Sequence, residues 1–326
     1  MISKPPSFLS LLCGIVCAWL CTSATFAQAI YPTKPIRLIV PFPPGGGAEA
    51  TARLIAHKLG ESLGQAVVVE TRAGAGGNIG TDYVARAQAD GYTLLLATNG
   101  MAIQPHLQKL SWDPIKDFTP VGLVAVYSLV IAVHPSVAAQ NLTELVAYAK
   151  THPRQLSYGS SGSGGPLHMG AELFRSHAGI ELLHVPYKGN APMTIALLSG
   201  EINMVFDSPV GPLPNIRAGK VRALATTGKR RSSSLPDVPT VIESGLAGFD
   251  YESWNGIVAP AGTPKDIVAR LSNEVAKAVA SPDVRERLIA LGYEPRVAKT
   301  DEFAALIAAD MGRFGRVVKE VGMKLD

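Results

Sequence analysis

Cysteine is scarce and oddly placed: the 326-residue chain has three, Cys13, Cys17 and Cys21, all near its start. That start reads as an export signal. Lys4 is the only charge up to Ala29, and Ala27-Gln28-Ala29 fits the small-x-small cleavage rule. Phe8 to Leu20 form an apolar core of about 13 residues, against about 20 needed to span a bilayer. The expectation is a signal peptide over residues 1–29, cleaved after Ala29, rather than a membrane anchor. Leu12, Val16 and Leu20 precede the cysteines, where a lipoprotein signal would carry a small residue. With the signal gone no cysteine remains, which excludes disulfides, thiolate catalysis and cysteine metal sites together. The core alone must hold the fold, and a length of about 300 residues is ample for that.

An excess of one charge is lacking too. Without Lys4, 29 basic residues face 26 acidic ones, too even and too scattered for a nucleic-acid footprint. Lys229-Arg230-Arg231 reads as a solvated loop. Beyond the signal no run is long and apolar enough to span a membrane. The seven histidines show no HExxH or paired metal spacing. "GAGGNIG", Gly74 to Gly80, follows a strand as a dinucleotide fingerprint would, but its glycines sit at offsets 0, 2 and 6 rather than 0, 2 and 5. In "GSSGSGG" neither Ser161 nor Ser163 has glycines at the spacing of a nucleophile elbow. No catalytic constellation survives, and nothing calls for a cofactor or a metal.

What is present is alternation. "IRLIVPF" is a strand, and "EATARLIAHKLGESLG" is a helix with Ala52, Ile55, Ala56 and Leu59 on one face. "QAVVVE" and "YTLLLAT" continue the strands. "VGLVAVYSLVIAV" is one or two more, stopped by His134-Pro135. Asn141 caps a helix through "LTELVAYAKTH". A second series follows through "LSYGSS", "ELLHVPY", "INMVFDS" and "VRALATTG", with "YESWNGIVAP" as a return crossing and an all-helical tail. Strands alternating with helices predict parallel sheets covered on both faces, here in two α/β lobes.

Each series opens on a glycine-rich strand-to-helix turn, "PFPPGGGAEA" and "YGSSGSGGPLH". Unpaired amides at a helix N-terminus bind anions, and glycine lets the backbone approach. A phosphate loop would follow its glycines with Lys-Ser or Lys-Thr; Ala48-Glu49 stands here instead, which favours a carboxylate. Asp207 and Tyr187-Lys188 come just after second-series strands, where ligands collect in open α/β sheets. Asp207 is readable either as a helix cap or as an acceptor for a polar ligand group. Trp254 and Phe42 read as cleft walls or as core.

The residues then carry a resemblance. "YPTKPIRLIVPFPPGGG", "GQAVVVETRAGAGGNIGTDYVARAQADGYTLLLAT", "YGSSGSGGPLHMGAELF", "HVPYKGNAP", "LPDVPTVIESG" and "WNGIVAPAGTP" resemble the Bug family, the periplasmic solute-binding components of tripartite tricarboxylate transporters. The match spans nearly the whole mature chain. It implies a Venus-flytrap fold, lobe 1 being 30–128 with 254–326 and lobe 2 being 129–253. It implies a small carboxylate held without catalysis or cofactor, a periplasmic location, a monomer as default, and docking on a two-component integral membrane permease. Carried over by position, the first-lobe clamp is Phe42, Gly45, Gly46, Gly47, Ala48 and Glu49, with Thr98 and Asn99. The second is Ser160, Ser161, Gly162, Ser163, Gly164 and Gly165, with His168, Tyr187 and Asp207. The family usually has aspartate where Glu49 stands. A sensory receptor for a membrane kinase would share this fold, and a secreted hydrolase would use Ser161 or Ser163.

Overall fold

The chain alternates strands and helices through two series and then returns to the first. In this computed structural model residues 31–325 are described, so the signal-peptide reading lies outside them. The first series runs β1 (Ile36–Val40), α1 (Gly47–Leu63), β2 (Val67–Thr71), α2 (Asn78–Ala85), β3 (Thr93–Thr98), a short α3 (Gly100–Ile103) and β4 (Phe118–Ser128). The second runs β5 (Val130–Val133), α4 (Leu142–Thr151), β6 (Ser157–Ser160), α5 (Pro166–Ala178), β7 (Leu183–Pro186), α6 (Asn190–Ser199), β8 (Met204–Asp207), α7 (Pro212–Arg217) and β9 (Arg222–Thr226). Then come β10 (Glu252–Pro260), α8 (Lys265–Ala280), α9 (Pro282–Ala290), β11 (Glu294–Lys299) and α10 (Thr300–Val321).

Two sheets result. One has the order β11-β4-β10-β3-β1-β2 and the other β7-β6-β8-β5-β9. The apolar run after Pro120 is two strands. β4 stays in the first sheet, the chain passes Leu129, and β5 enters the second. From Lys34 onward the chain is one compact unit.

The sheets are mixed rather than parallel. β1 pairs parallel with β2 and β3, and β6 with β7 and β8, as βαβ crossovers require. β10 runs antiparallel to β3 and β4, and β5 antiparallel to β8 and β9. The cause is connectivity. β5 and β10 enter their sheets from the other lobe, so they run away from the gap that the βαβ strands run toward. The tail also holds a strand that its sequence conceals. β11, "EPRVAK", lacks alternating apolar residues because it is a half-exposed edge, paired to β4 across an irregularity between Pro295 and Ala298.

Helix α1 shows how sequence sets position. Ala52, Ile55, Ala56, Leu59 and Leu63 recur at helical spacing and are buried. Gly64 ends the helix in the left-handed region (φ 68°), its N–H donating to the Gly60 carbonyl. Asn141 caps α4, its side chain accepting from the Glu144 N–H at 2.9 Å. The first lobe packs around Ile39, Leu95, Trp112, Phe118, Trp254, Phe303 and Ile307. Trp254 is therefore core, and its indole N–H donates to Asp310 at 2.7 Å. In the second lobe Phe174 packs on Phe206 and Phe249.

Candidate functional site

The two glycine-rich turns share one construction. In the first, Gly45 takes φ 87° and Gly46 is the extended N-cap of α1. In the second, Gly164 takes φ 74° and Gly165 is the extended N-cap of α5. A residue in the first helical turn then reaches back four positions to hold the glycine amide. Glu49 Oε2 accepts from Gly45 N–H at 2.7 Å, and His168 Nδ1 accepts from Gly164 N–H at 3.0 Å. Each brace ties its turn to the helix that follows, whose first amides have no partner within the helix, except that Pro166 at the start of α5 carries no N–H.

They converge on a cavity of about 30 Å³, lined by Phe42, Gly46, Gly47, Ala48, Thr98, Tyr127, Ser161, Pro166, Leu167, Asn190, Ser208 and Tyr293. Most of these follow the carboxyl ends of β1, β3, β6, β7 and β8, where ligands collect in open α/β sheets. Among the described residues no charged side chain lines it. Helix N-termini, hydroxyls and an amide supply its polarity, and that donor-rich, cation-free set suits an anion. Outside it lies a larger opening of about 510 Å³. Phe42 and Ser161 line both, while Gly162, Ser163, Tyr187 and Lys188 line the outer space alone.

The lobes meet closely across this site. A Cβ on Gly46 would lie 2.8 Å from Asn190 Oδ1, one on Gly189 would lie 2.9 Å from Pro43, and one on Gly76 would lie 2.7 Å from the Ser163 carbonyl. Glycine is needed where the turns oppose each other.

The sequence-derived residues divide by what their side chains do. Phe42, Gly46, Gly47, Ala48, Thr98 and Ser161 line the cavity. Glu49 turns back to Gly45 and to Arg53 Nε and Nη2, at 2.8 and 2.6 Å. The Gly45 amide, aided by Arg53, holds its carboxyl below the usual range. Asn99 faces the crossing strands instead: its amide donates to Tyr251 Oη and its Oδ1 accepts from Ser253. Ser160 is buried with its hydroxyl 2.7 Å from His184 Nε2, and His184 stacks on His168. Tyr187 donates to Glu201.

Asp207 does not cap α7, whose N-cap is Gly211. Its carboxylate accepts from Asn190 Nδ2 at 2.6 Å and from Ser208 N–H at 2.7 Å, so it positions two cavity-lining residues from behind. Burial pushes its pKa up to about 7, against the pull of those donors.

This architecture has known relatives. Residues 51–323 match the model of the tripartite tricarboxylate transporter family receptor, TctC. The chain belongs to that family. The receptor is 36% identical to Protein BugT of Bordetella pertussis, over 96% of this chain and 97% of that one. Among solved structures it is similar to an R. palustris protein with adipate, at TM-score 0.87 and 36% identity over 91% of this chain and all of that one. It is similar also to the periplasmic binding protein BugD, at TM-score 0.86 and 35% identity, with coverage of 91% and 100%. The two-lobed α/β reading and the Bug resemblance both hold.

Several residues that line or brace this cavity are not among the sequence-derived candidates. Asn190 opens α6 after Gly189, on a third strand-glycine-helix turn, and that repetition was a usable signal. Gln104 joins the lobes, its amide donating to the Gly164 carbonyl at 3.1 Å. Tyr127 is the last residue but one of β4, and Tyr293 lies between α9 and β11; their rings pack with centroids 4.6 Å apart. Nothing local to "LGYEP" signals a site, because lobe packing alone brings Tyr293 beside Gly47.

Proposed function

We propose that this receptor captures a small organic carboxylate between its lobes and delivers it to a two-component membrane permease. The lobes are 30–128 with 254–326, and 129–253, and the clamp is the pair of glycine-rich turns. The observation that carries this reading is the convergence of two helix N-termini and neutral donors on one cavity with no charged lining side chain among the described residues. Each amide bond to a carboxylate contributes about 1.5–3 kcal/mol, because one partner is ionised. Closing the lobes excludes water and strengthens those bonds, so ligand and closure stabilise each other. Family membership supports the transport role, and the adipate seen with the R. palustris neighbour supports the ligand class. Export to the periplasm after cleavage at Ala29 completes the proposal.

The test is thermal unfolding of residues 30–326 against di- and tricarboxylates, acidic amino acids, aromatic acids and their amides. A ligand at 100 times its Kd stabilises by about 2.7 kcal/mol. A shift with an acid and none with its amide is the expected result. No shift with any acid would remove the carboxylate reading.

A further inference from the structure

The Tyr293 hydroxyl stands apart from every other polar group of the cavity. It is buried, the residue being 1% exposed, and it has no hydrogen-bond partner among the described residues. Ser208 and Asn255 lie near enough to ease its pKa downward against the strong upward push of burial, yet neither completes a hydrogen bond with it, and Asn255 Oδ1 is likewise unpartnered among the described residues. A buried donor left unpaired is costly and rare in native proteins. Its place is informative. The oxygen sits where a Cβ on Gly47 would come within 1.8 Å, beside the first residue of α1, and Tyr293 lines the cavity together with Gly46, Gly47 and Ala48. Its ring is fixed against Tyr127, so the hydroxyl is preset rather than free to swing to another partner.

We infer that Tyr293 is a specificity residue whose hydroxyl, acting with the N-terminus of α1, donates to one oxygen of the bound acid. The inference rests on the carboxylate reading and deepens it. A helix N-terminus favours negative charge without fixing its position. A buried hydroxyl at one point demands an acceptor there and penalises ligands that bring none. Tyr293 therefore makes the receptor prefer acids with an acceptor oxygen deep in the cavity over acids with an apolar end.

The experiment is calorimetric titration of the parent and Tyr293→Phe with succinate, malate, adipate, citrate and the monocarboxylate butyrate, alongside unfolding curves without ligand. For acids the parent binds, the variant is expected to bind about 10- to 100-fold more weakly, and the preference over butyrate is expected to shrink. Without ligand the variant is expected to be as stable as the parent or more so, since it loses an unpaired donor. Equal affinities in parent and variant would overturn the inference and leave the carboxylate reading intact. A drop in melting temperature with unchanged affinity would also overturn it, by making the hydroxyl structural. A parent that binds none of the acids would remove the underlying reading and the inference with it.

Discussion

The two lobes repeat one plan and distribute charge in opposite places. The first lobe has the strand order β3-β1-β2 beside its crossing strand β10, and the second has β8-β6-β7 beside β5. In each, the first strand leads through a positive-φ glycine and a glycine N-cap into a helix. The first lobe braces that turn with a carboxylate, Glu49, and ends its third strand in a neutral residue, Thr98. The second braces its turn with an imidazole, His168, and ends its third strand in a carboxylate, Asp207. The two carboxylates differ in electrostatics. Glu49 is served by an amide and Arg53, which favour its ionised form. Asp207 sits where burial outweighs the bonds from Ser208 and Asn190. A negative charge beside an anion site is tolerable where its bonds to the scaffold outweigh its burial, and costly where burial outweighs its bonds.

The largest test of that contrast is pH. Asp207 has a folded pKa of about 7, above its ordinary value of 3.8. Its contribution to stability is therefore complete below about pH 4 and is lost as pH rises toward and through 7. That loss is roughly 4 kcal/mol for this group alone. D207N abolishes it, so its stability relative to the parent should climb between pH 4.5 and 8 in denaturant titrations. Parallel curves would mean that Asp207 is not the desolvated member of the pair. Next comes the space between the lobes. Gly46→Ala places its Cβ 2.8 Å from Asn190 Oδ1, whereas Gly165→Ala meets only the Gly162 carbonyl at 3.6 Å. Neither glycine has a positive φ. Gly46→Ala should weaken ligand binding about tenfold or more, and Gly165→Ala by less than about threefold. Equal losses would mean that the opposition of Asn190 to the first turn does not matter.

How much of this the sequence reveals follows from where each signal is stored. Local patterns located the first turn, the buried face of α1 and the Asn141 cap, because helical spacing and cap chemistry are properties of neighbouring residues. The clamp position of Glu49 leaves open what its side chain does. Position in a motif says nothing of which way a side chain turns, and Glu49 turns to Gly45 and Arg53. Asn99 likewise sits at the end of β3 yet serves the crossing strands through Tyr251 and Ser253. Strand β11 was hidden because an edge strand needs no apolar alternation, and the mixed pairing because direction depends on connectivity between lobes. Tyr293 is the extreme case: 246 positions from Gly47, it becomes its neighbour only through the packing of the whole tail.

The smaller effects isolate the brace of the first turn. E49Q keeps an acceptor oxygen for the Gly45 amide but removes the charge, and should cost about 1 kcal/mol near neutral pH. The folded pKa of Glu49 lies below its ordinary value, so its stabilisation is present above about pH 4.5 and lost as pH falls through the folded pKa. E49Q should remove that acid-side slope, in the opposite direction to the slope of Asp207. The smallest effect belongs to Arg53→Ala. The Arg53 side chain is 65% exposed, so its ion pair with Glu49 is screened and should contribute less than about 1 kcal/mol. A loss of about 2 kcal/mol or more by denaturant unfolding would make the ion pair the true brace. The first turn would then be held from outside the loop by a cation, the second from within by an imidazole. Their common geometry would no longer be a common mechanism.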